Sequence, residues 1–101
     1  MSNTYQIYLI SDSTGETLDR VFLAIKAQFK NIEYEINSYF FTRTENQINK
    51  ILNNAKKQKN SIILYTIVDN NLAKFLANKS DEKKIPCFGA LGNLILSFSK
   101  L

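Results

Sequence analysis

Short apolar runs alternate with segments that repeat an apolar residue every three or four positions, and this alternation restricts the fold more than any other feature. Runs rich in aromatic and β-branched residues predict strands at 5–10, 34–41, 61–68 and 86–88. The stretches at 16–30, 45–58, 70–83 and 93–100 have the periodicity of amphipathic helices. The predicted order of elements is therefore βαβαβαβα.

Strands that alternate with helices of about 10 to 15 residues are joined by right-handed crossovers into a parallel sheet with helices on both faces. The run SIILYTIV at 61–68 is nearly free of polar residues, which is typical of a central strand. We expect an open three-layer α/β sandwich with a four-stranded parallel sheet, in the order 2-1-3-4, similar to half of a flavodoxin or Rossmann fold. The length of 101 residues predicts a single domain.

The composition excludes several kinds of site. The sequence has no histidine and one cysteine, Cys87, which excludes Ser-His-Asp and Cys-His catalysis, an internal disulfide and a structural zinc site. No apolar stretch approaches the roughly 20 residues that span a bilayer and no secretory signal is present, so we expect a cytoplasmic protein without a membrane partner. The net charge of +4 comes mainly from lysines at predicted helix ends, so no nucleic-acid partner is expected.

The loop at 11–17, SDSTGET, is the most informative segment for function. In the predicted strand order it faces the loop at 68–71 across the point where the order reverses, which is where open α/β sheets bind ligands. Its hydroxyl side chains and its glycine precede a helix N-terminus, where free N–H groups and the helix dipole favour an anion. The candidate phosphate-binding residues in this loop are Ser11, Ser13, Thr14, Gly15 and Thr17.

Three charged residues follow predicted strands at the same edge. Arg43 has a planar guanidinium that suits phosphate, so it joins the candidate phosphate-binding set. Asp12 and Asp69 are candidate acidic residues that could together hold a metal ion or act as a base. The alternatives are that Asp12 orients a hydroxyl or hydrogen-bonds its own loop, and that Asp69 only caps the third helix.

Helix capping is the alternative explanation for several of these polar residues. Ser13 and Glu16 have the spacing of a capping box, as do Thr42 and Glu45. The aromatic residues of the predicted strands, including Phe41, are assigned to the core or to a surface that covers the sheet. No GxxxxGK[ST] or GxGxxG sequence occurs, so a complete nucleotide site is not predicted.

The segment LISDSTGET at 9–17 resembles the family of pyruvate, phosphate dikinase regulatory proteins and the related phosphoenolpyruvate synthase regulatory proteins. The resemblance continues through Ala27-Gln28-Phe29, Arg43-Thr44, ILYTIVD at 63–69 and Ile85-Pro86-Cys87, and so extends over essentially the whole chain. It implies a bifunctional serine/threonine kinase and pyrophosphorylase. ADP would donate a phosphoryl group to a threonine of the dikinase and so inactivate that enzyme, and inorganic phosphate would remove the group as pyrophosphate.

The resemblance also implies a nucleotide-binding P-loop in the C-terminal half of such proteins, before which this sequence ends. We therefore expect residues 1–101 to resemble the family's N-terminal domain, without a P-loop domain and without activity of their own. Catalytic residues stay unassigned, and no tightly bound cofactor is expected, although Mg²⁺ is a candidate. The implied partner is pyruvate, phosphate dikinase or phosphoenolpyruvate synthase, and a homodimer is left open.

Two other functions stay open at this point. Residues 14–17, TGET, resemble the TGxT phosphate loop of flavodoxin-like domains that bind flavin mononucleotide. Alternatively, the chain is a binding module that docks on a partner without chemistry.

Overall fold

The computed structural model describes residues 4–90, and within them the predicted alternation of strands and helices is present. The strands are β1 (Tyr5–Ser11), β2 (Tyr34–Tyr39), β3 (Ser61–Thr66) and β4 (Cys87–Gly89). The helices are α1 (Glu16–Gln28), α2 (Glu45–Lys56) and α3 (Asn70–Glu82). The helix predicted at 93–100 lies outside the described residues.

The four strands form one parallel sheet in the order β2-β1-β3-β4, which confirms the predicted fold class and strand order. The register pairs Gln6 of β1 with Glu35 of β2 on one side and with Ser61 of β3 on the other. The point where the strand order reverses therefore lies between the two internal strands, β1 and β3, as the sequence predicts.

Helices cover both faces of the sheet. Alternate residues of β1 point to opposite sides, so this strand contributes to the packing on each face. Ile7 and Leu9 pack with Leu18 and Phe22 of α1 on one face. Residues of β1 and β3 pack with α2 and α3 on the other face, in a cluster that includes Tyr8, Ile10, Ile48, Ile51, Leu52, Ala55, Ile63 and Leu76. Each fully buried aliphatic side chain contributes roughly 2 kcal/mol to the free energy of folding. The two clusters therefore stabilise the packing of the helices on the sheet.

Helix α2 begins at Glu45, as predicted, but the capping box predicted for Thr42 and Glu45 does not form. Thr42 is only 2% exposed, and its hydroxyl donates to the carbonyl of Tyr39, so it is not available to cap the helix. The N-cap is Thr44, whose Oγ1 accepts a hydrogen bond from the backbone N–H of Gln47, while the Gln47 side chain accepts one from the Thr44 N–H. The capping box therefore forms two residues further along the chain.

None of the helices within residues 4–90 has the length and apolar character needed to cross a membrane.

Candidate phosphate-binding site

The loops that follow β1, β2 and β3 are hydrogen-bonded to one another at the carboxyl edge of the sheet. The backbone N–H of Asp12 donates to the carbonyl of Thr66 over 3.2 Å. On the other side, the N–H groups of Phe41 and Thr42 donate to the carbonyls of Ser13 and Ser11 over 3.0 and 2.9 Å. The loop after β1 is thus held between its two neighbours, as the strand order requires.

Asp12 connects all three loops. Its carboxylate Oδ2 accepts a hydrogen bond of 2.8 Å from the backbone N–H of Val68, and its carbonyl accepts one of 3.1 Å from Nε of Arg43. From the sequence alone, the Asp12 carboxylate could contact a cation, a hydroxyl or its own loop. The structure shows a fourth arrangement, in which the carboxylate contacts the loop that follows β3.

Asp69 is the N-cap of α3, because its Oδ1 accepts a hydrogen bond of 3.0 Å from the backbone N–H of Leu72. The predicted capping role is therefore confirmed. Within residues 4–90 no three metal-ligating side chains come together in a cluster that could hold a metal ion. Because Asp12 and Asp69 both bind backbone N–H groups, each carboxylate has a structural role without a metal.

Ser11 lies beneath the loop. It is 0% exposed, and its Oγ accepts hydrogen bonds from the backbone N–H of Ser13 and from the hydroxyl of Thr66. It also lies 3.3 Å from Oγ of Ser13. Because no surface of Ser11 is available to a ligand, its hydroxyl suits positioning Ser13 better than binding phosphate directly.

Gly15 is the N-cap of α1 and has left-handed backbone, with φ of 82°. No side chain caps this helix, so the predicted capping box of Ser13 and Glu16 does not form. The ring of Phe40 lies where a Cβ on Gly15 would be, and glycine is therefore required both by φ and by this contact. On this side of Gly15, the space next to the backbone is filled by the Phe40 ring.

Thr14 and Thr17 flank Gly15 on the exposed side of the loop. Both are exposed, and neither hydroxyl has a hydrogen-bond partner among the described residues. No side chain caps α1, and Thr14 precedes its N-cap while Thr17 lies in its first turn. This end of the helix has the donors and the dipole that an anion requires.

Arg43 is held beside the same loop. Its Nε donates to the carbonyl of Asp12, and the centre of its guanidinium lies 5.3 Å from the centroid of the Phe41 ring. The terminal nitrogens of Arg43 have no hydrogen-bond partner within residues 4–90. The structure therefore brings Arg43 to the loop that carries Ser13, Thr14 and Thr17.

Phe41 is a residue of this edge that the sequence does not reveal, because the second strand is predicted at 34–41 and includes it. It lies beyond the end of β2, in left-handed backbone with φ of 55°, and is 52% exposed. The prediction that its ring covers the sheet is therefore wrong, because the left-handed residue ends the strand and turns the side chain to the surface. The adjacent polar segment Thr42-Arg43-Thr44 is the signal that the strand ends earlier.

Together, these features define the class of the molecule as a doubly wound α/β domain with polar loops at the reversal point of its sheet. Comparison with known proteins gives the family. The model of the kinase/pyrophosphorylase family matches residues 7–101, and the chain belongs to this family.

Several relatives are named as regulatory proteins of pyruvate, phosphate dikinase. A protein of Pelagibacter ubique is 81% identical over 101 residues, which is 100% of this chain and 37% of the relative. A protein of Geotalea uraniireducens is 36% identical over 95% of this chain and 35% of its own length. One from Ehrlichia chaffeensis is 34% identical over 97% of this chain and 36% of its own length. The chain thus spans little more than a third of these relatives.

Proposed function

We propose that this chain is the N-terminal part of a regulatory enzyme that phosphorylates and dephosphorylates pyruvate, phosphate dikinase, and that the loop at 12–17 handles the phosphoryl group. Family membership and the names of the relatives support the coarse function. One observation carries the role of the loop. Arg43, whose terminal nitrogens lack partners among the described residues, is held by its Nε on the carbonyl of Asp12, in the loop that leads into α1, and the hydroxyls of Thr14 and Thr17 also lack partners there.

The reaction that fits the family consists of two phosphoryl transfers. In the kinase direction the hydroxyl of a target threonine attacks the terminal phosphorus of ADP, the phosphorus–oxygen bond to the remaining nucleotide breaks, and AMP leaves. In the opposite process inorganic phosphate attacks the phosphothreonine, which frees the hydroxyl and releases pyrophosphate. Both transfers depend on positioning and on neutralising charge around the phosphoryl oxygens, and Arg43 with the N–H groups of α1 would supply part of that.

A magnesium ion is not assigned to this edge of the sheet. The two carboxylates there, on Asp12 and Asp69, accept hydrogen bonds from the backbone N–H groups of Val68 and Leu72. No third ligating side chain joins them within residues 4–90. These residues therefore fit Mg²⁺ poorly by themselves, and no step is assigned to the ion.

The remaining parts of the proposal follow from the family resemblance. Residues 1–101 contain no Walker-type sequence, so we propose that the donor nucleotide is bound by residues outside this chain and that the chain alone does not catalyse transfer. The partner is pyruvate, phosphate dikinase, with phosphoenolpyruvate synthase as the alternative, in the cytoplasm. A homodimer is compatible with this function but is not required by it.

A chimera tests the proposal. Residues 1–101 would replace the matching segment of the Pelagibacter relative, and the product would be assayed for ADP-dependent phosphorylation of the dikinase and for its phosphate-dependent reversal. We expect both activities in the chimera and at least a tenfold loss in both on Arg43→Ala, since charge-assisted contacts to phosphoryl oxygens contribute roughly 1.5–3 kcal/mol.

Arg20→Ala is the matched control, because Arg20 is the other arginine of the chain and is exposed on α1. It should leave both reactions unchanged. A chimera without either activity would contradict the proposed function, and an Arg43→Ala chimera with full activity would contradict the role of the loop.

No observation within residues 4–90 favours the flavin-binding alternative. Flavin absorbance that persists after the protein has been mixed with flavin mononucleotide and desalted would establish it.

A further inference from the structure

The phosphate-binding hypothesis does not explain why Phe41 is exposed. A bulky residue in left-handed backbone is an outlier that persists only when its surroundings impose it. Here three hydrogen bonds do so: the N–H of Phe41 donates to the Ser13 carbonyl, the Gln47 side chain donates to the Phe41 carbonyl, and the N–H of Thr42 donates to the Ser11 carbonyl. The chain therefore holds the backbone of Phe41 in one conformation beside the loop at 12–17, with the side chain exposed.

Val68 is a second apolar residue fixed at the same edge. Its side chain is 73% exposed, while its backbone N–H is bound to the carboxylate of Asp12. Phe40, which packs on Gly15, also keeps part of its ring exposed. We call the surface formed by Phe40, Phe41, Arg43 and Val68 the edge surface. It combines three exposed apolar side chains with a cation whose terminal nitrogens lack partners in residues 4–90.

The composition of the edge surface indicates its ligand. Inorganic phosphate gains nothing from contact with apolar side chains, and an uncharged apolar ligand gains nothing from Arg43. A ligand that combines a phosphate with apolar groups on either side uses both parts of the surface. Aromatic residues, including phenylalanine, and arginine are enriched at protein interfaces relative to the rest of the surface.

A nucleotide fits this surface less well than a polypeptide. Recognition of a base requires polar groups that read its edge in addition to a ring on which it stacks. The polar side chain that contacts the backbone of Phe41 is Gln47, and its Oε1 accepts from the N–H groups of Arg43 and Thr44 while its Nε2 donates to the Phe41 carbonyl. These atoms are already engaged and are not free to read a base.

We propose that the edge surface binds the segment of the target protein that carries the phosphorylated threonine, with apolar residues next to that threonine in contact with Phe41 and Val68. The proposal rests on the function proposed above and adds to it the sequence preference of the target. Arg43 binds the phosphate, whereas Phe41 and Val68 select the flanking residues.

The test compares two synthetic phosphothreonine peptides, one with leucine on both sides of the phosphothreonine and one with glycine. Their affinities for the 101-residue chain are measured by isothermal titration calorimetry, with inorganic phosphate and ADP as further ligands. We expect the leucine peptide to bind about tenfold more tightly than the glycine peptide, since burial of one apolar side chain is commonly worth that factor. Phe41→Ala should remove most of this difference between the two peptides.

Phe29→Ala is the matched control, because Phe29 is 53% exposed but lies at the far end of α1. It should not change either affinity. Equal affinity for the two peptides, or an unchanged preference in Phe41→Ala, would overturn the proposal. So would ADP binding that is tighter than peptide binding and depends on Phe41.

The two proposals fail in different ways. If phosphate and the glycine peptide bind through Arg43 but leucine adds nothing, the edge surface is wrong and the phosphate site stands. If no phosphorylated ligand binds, the phosphate site itself is wrong, and the target-binding proposal that rests on it fails with it.

Discussion

The carboxylate of Asp12 accepts a hydrogen bond of 2.8 Å from the backbone N–H of Val68, and this bond joins the loop after β1 to the loop after β3. The carbonyl of the same residue accepts from Nε of Arg43, which follows β2. The position of the guanidinium therefore depends on a residue that is itself held by the neighbouring strand. A loop fixed from both sides can present its hydroxyls and N–H groups to a phosphate without reordering.

Removal of the Asp12 carboxylate is predicted to loosen this edge. Asp12→Ala should lower the free energy of unfolding by about 1 kcal/mol, because the N–H of Val68 loses its charged acceptor while water replaces part of the interaction. Asp12→Asn, which keeps an acceptor oxygen, should lose about half as much. Urea denaturation of the two variants measures the difference, and wild-type midpoints in both would show that the bond adds no stability.

Gly15 is predicted to be required for stability as well as for the site. Gly15→Ala should lower the free energy of unfolding by about 2–3 kcal/mol, because the new Cβ has an unfavourable φ and overlaps the ring of Phe40. In a Phe40→Ala background the same substitution should cost only about 1 kcal/mol, since the overlap is gone and the strain in φ remains. Thermal or urea denaturation of the wild type, the two single variants and the double variant gives the coupling free energy between Gly15 and Phe40. Equal costs in both backgrounds would contradict the contact between the two residues.

Thr44 is predicted to stabilise α2 through its capping box. Thr44→Ala should lower the free energy of unfolding by about 1 kcal/mol, the usual loss for an N-cap side chain. Thr14→Ala serves as the control, because the Thr14 hydroxyl is exposed and has no partner among the described residues. It should leave the urea midpoint unchanged. Equal effects of the two substitutions would argue against the cap.

Stability is predicted to fall at alkaline pH through Cys87. Burial raises the pKa of its thiol above the ordinary value of 9.0, so the folded state favours the protonated form. The stabilisation is fully present below that value and is lost as the pH rises through the higher pKa of the folded state. Urea midpoints measured upward from about pH 8 should therefore decline.

Cys87→Ala should flatten the first part of that decline. The later part should remain, since burial also raises the pKa values of Tyr8 and Tyr65 above 10.0. An identical pH profile in the Cys87→Ala variant would show that the thiol makes no contribution.

The strand order and the positions of most helices could be predicted from the sequence, because apolar periodicity and right-handed crossovers leave few arrangements for this pattern. The helix starts at 16, 45 and 70 and the Asp69 cap were also predicted, but the caps of α1 and α2 were not, since two residues competed for each of them. Thr42 and Thr44 both precede an acidic or amide residue by three positions, and burial of Thr42 decided between them. At α1, Ser13 and Gly15 are both good N-caps by type, and the contact with Phe40 favoured glycine.

The contacts among the site residues required the structure. The sequence placed Ser11 among the residues that bind phosphate, but register places its hydroxyl below the loop, against Thr66. The outward position of Phe41 also required the structure, because its left-handed backbone is held by hydrogen bonds to Gln47 and to Ser13, a residue of another loop. Such contacts depend on the assembled sheet.

The most direct test of the phosphate site is a titration of the isotope-labelled chain with inorganic phosphate, followed by NMR through the backbone amide shifts. We predict saturable shifts at Ser13, Thr14 and Thr17 that disappear in Arg43→Ala and persist in Arg20→Ala. Two results would contradict the claim that this loop binds phosphate together with Arg43. One is saturable shifts confined to other parts of the chain, and the other is shifts at the loop that do not depend on Arg43.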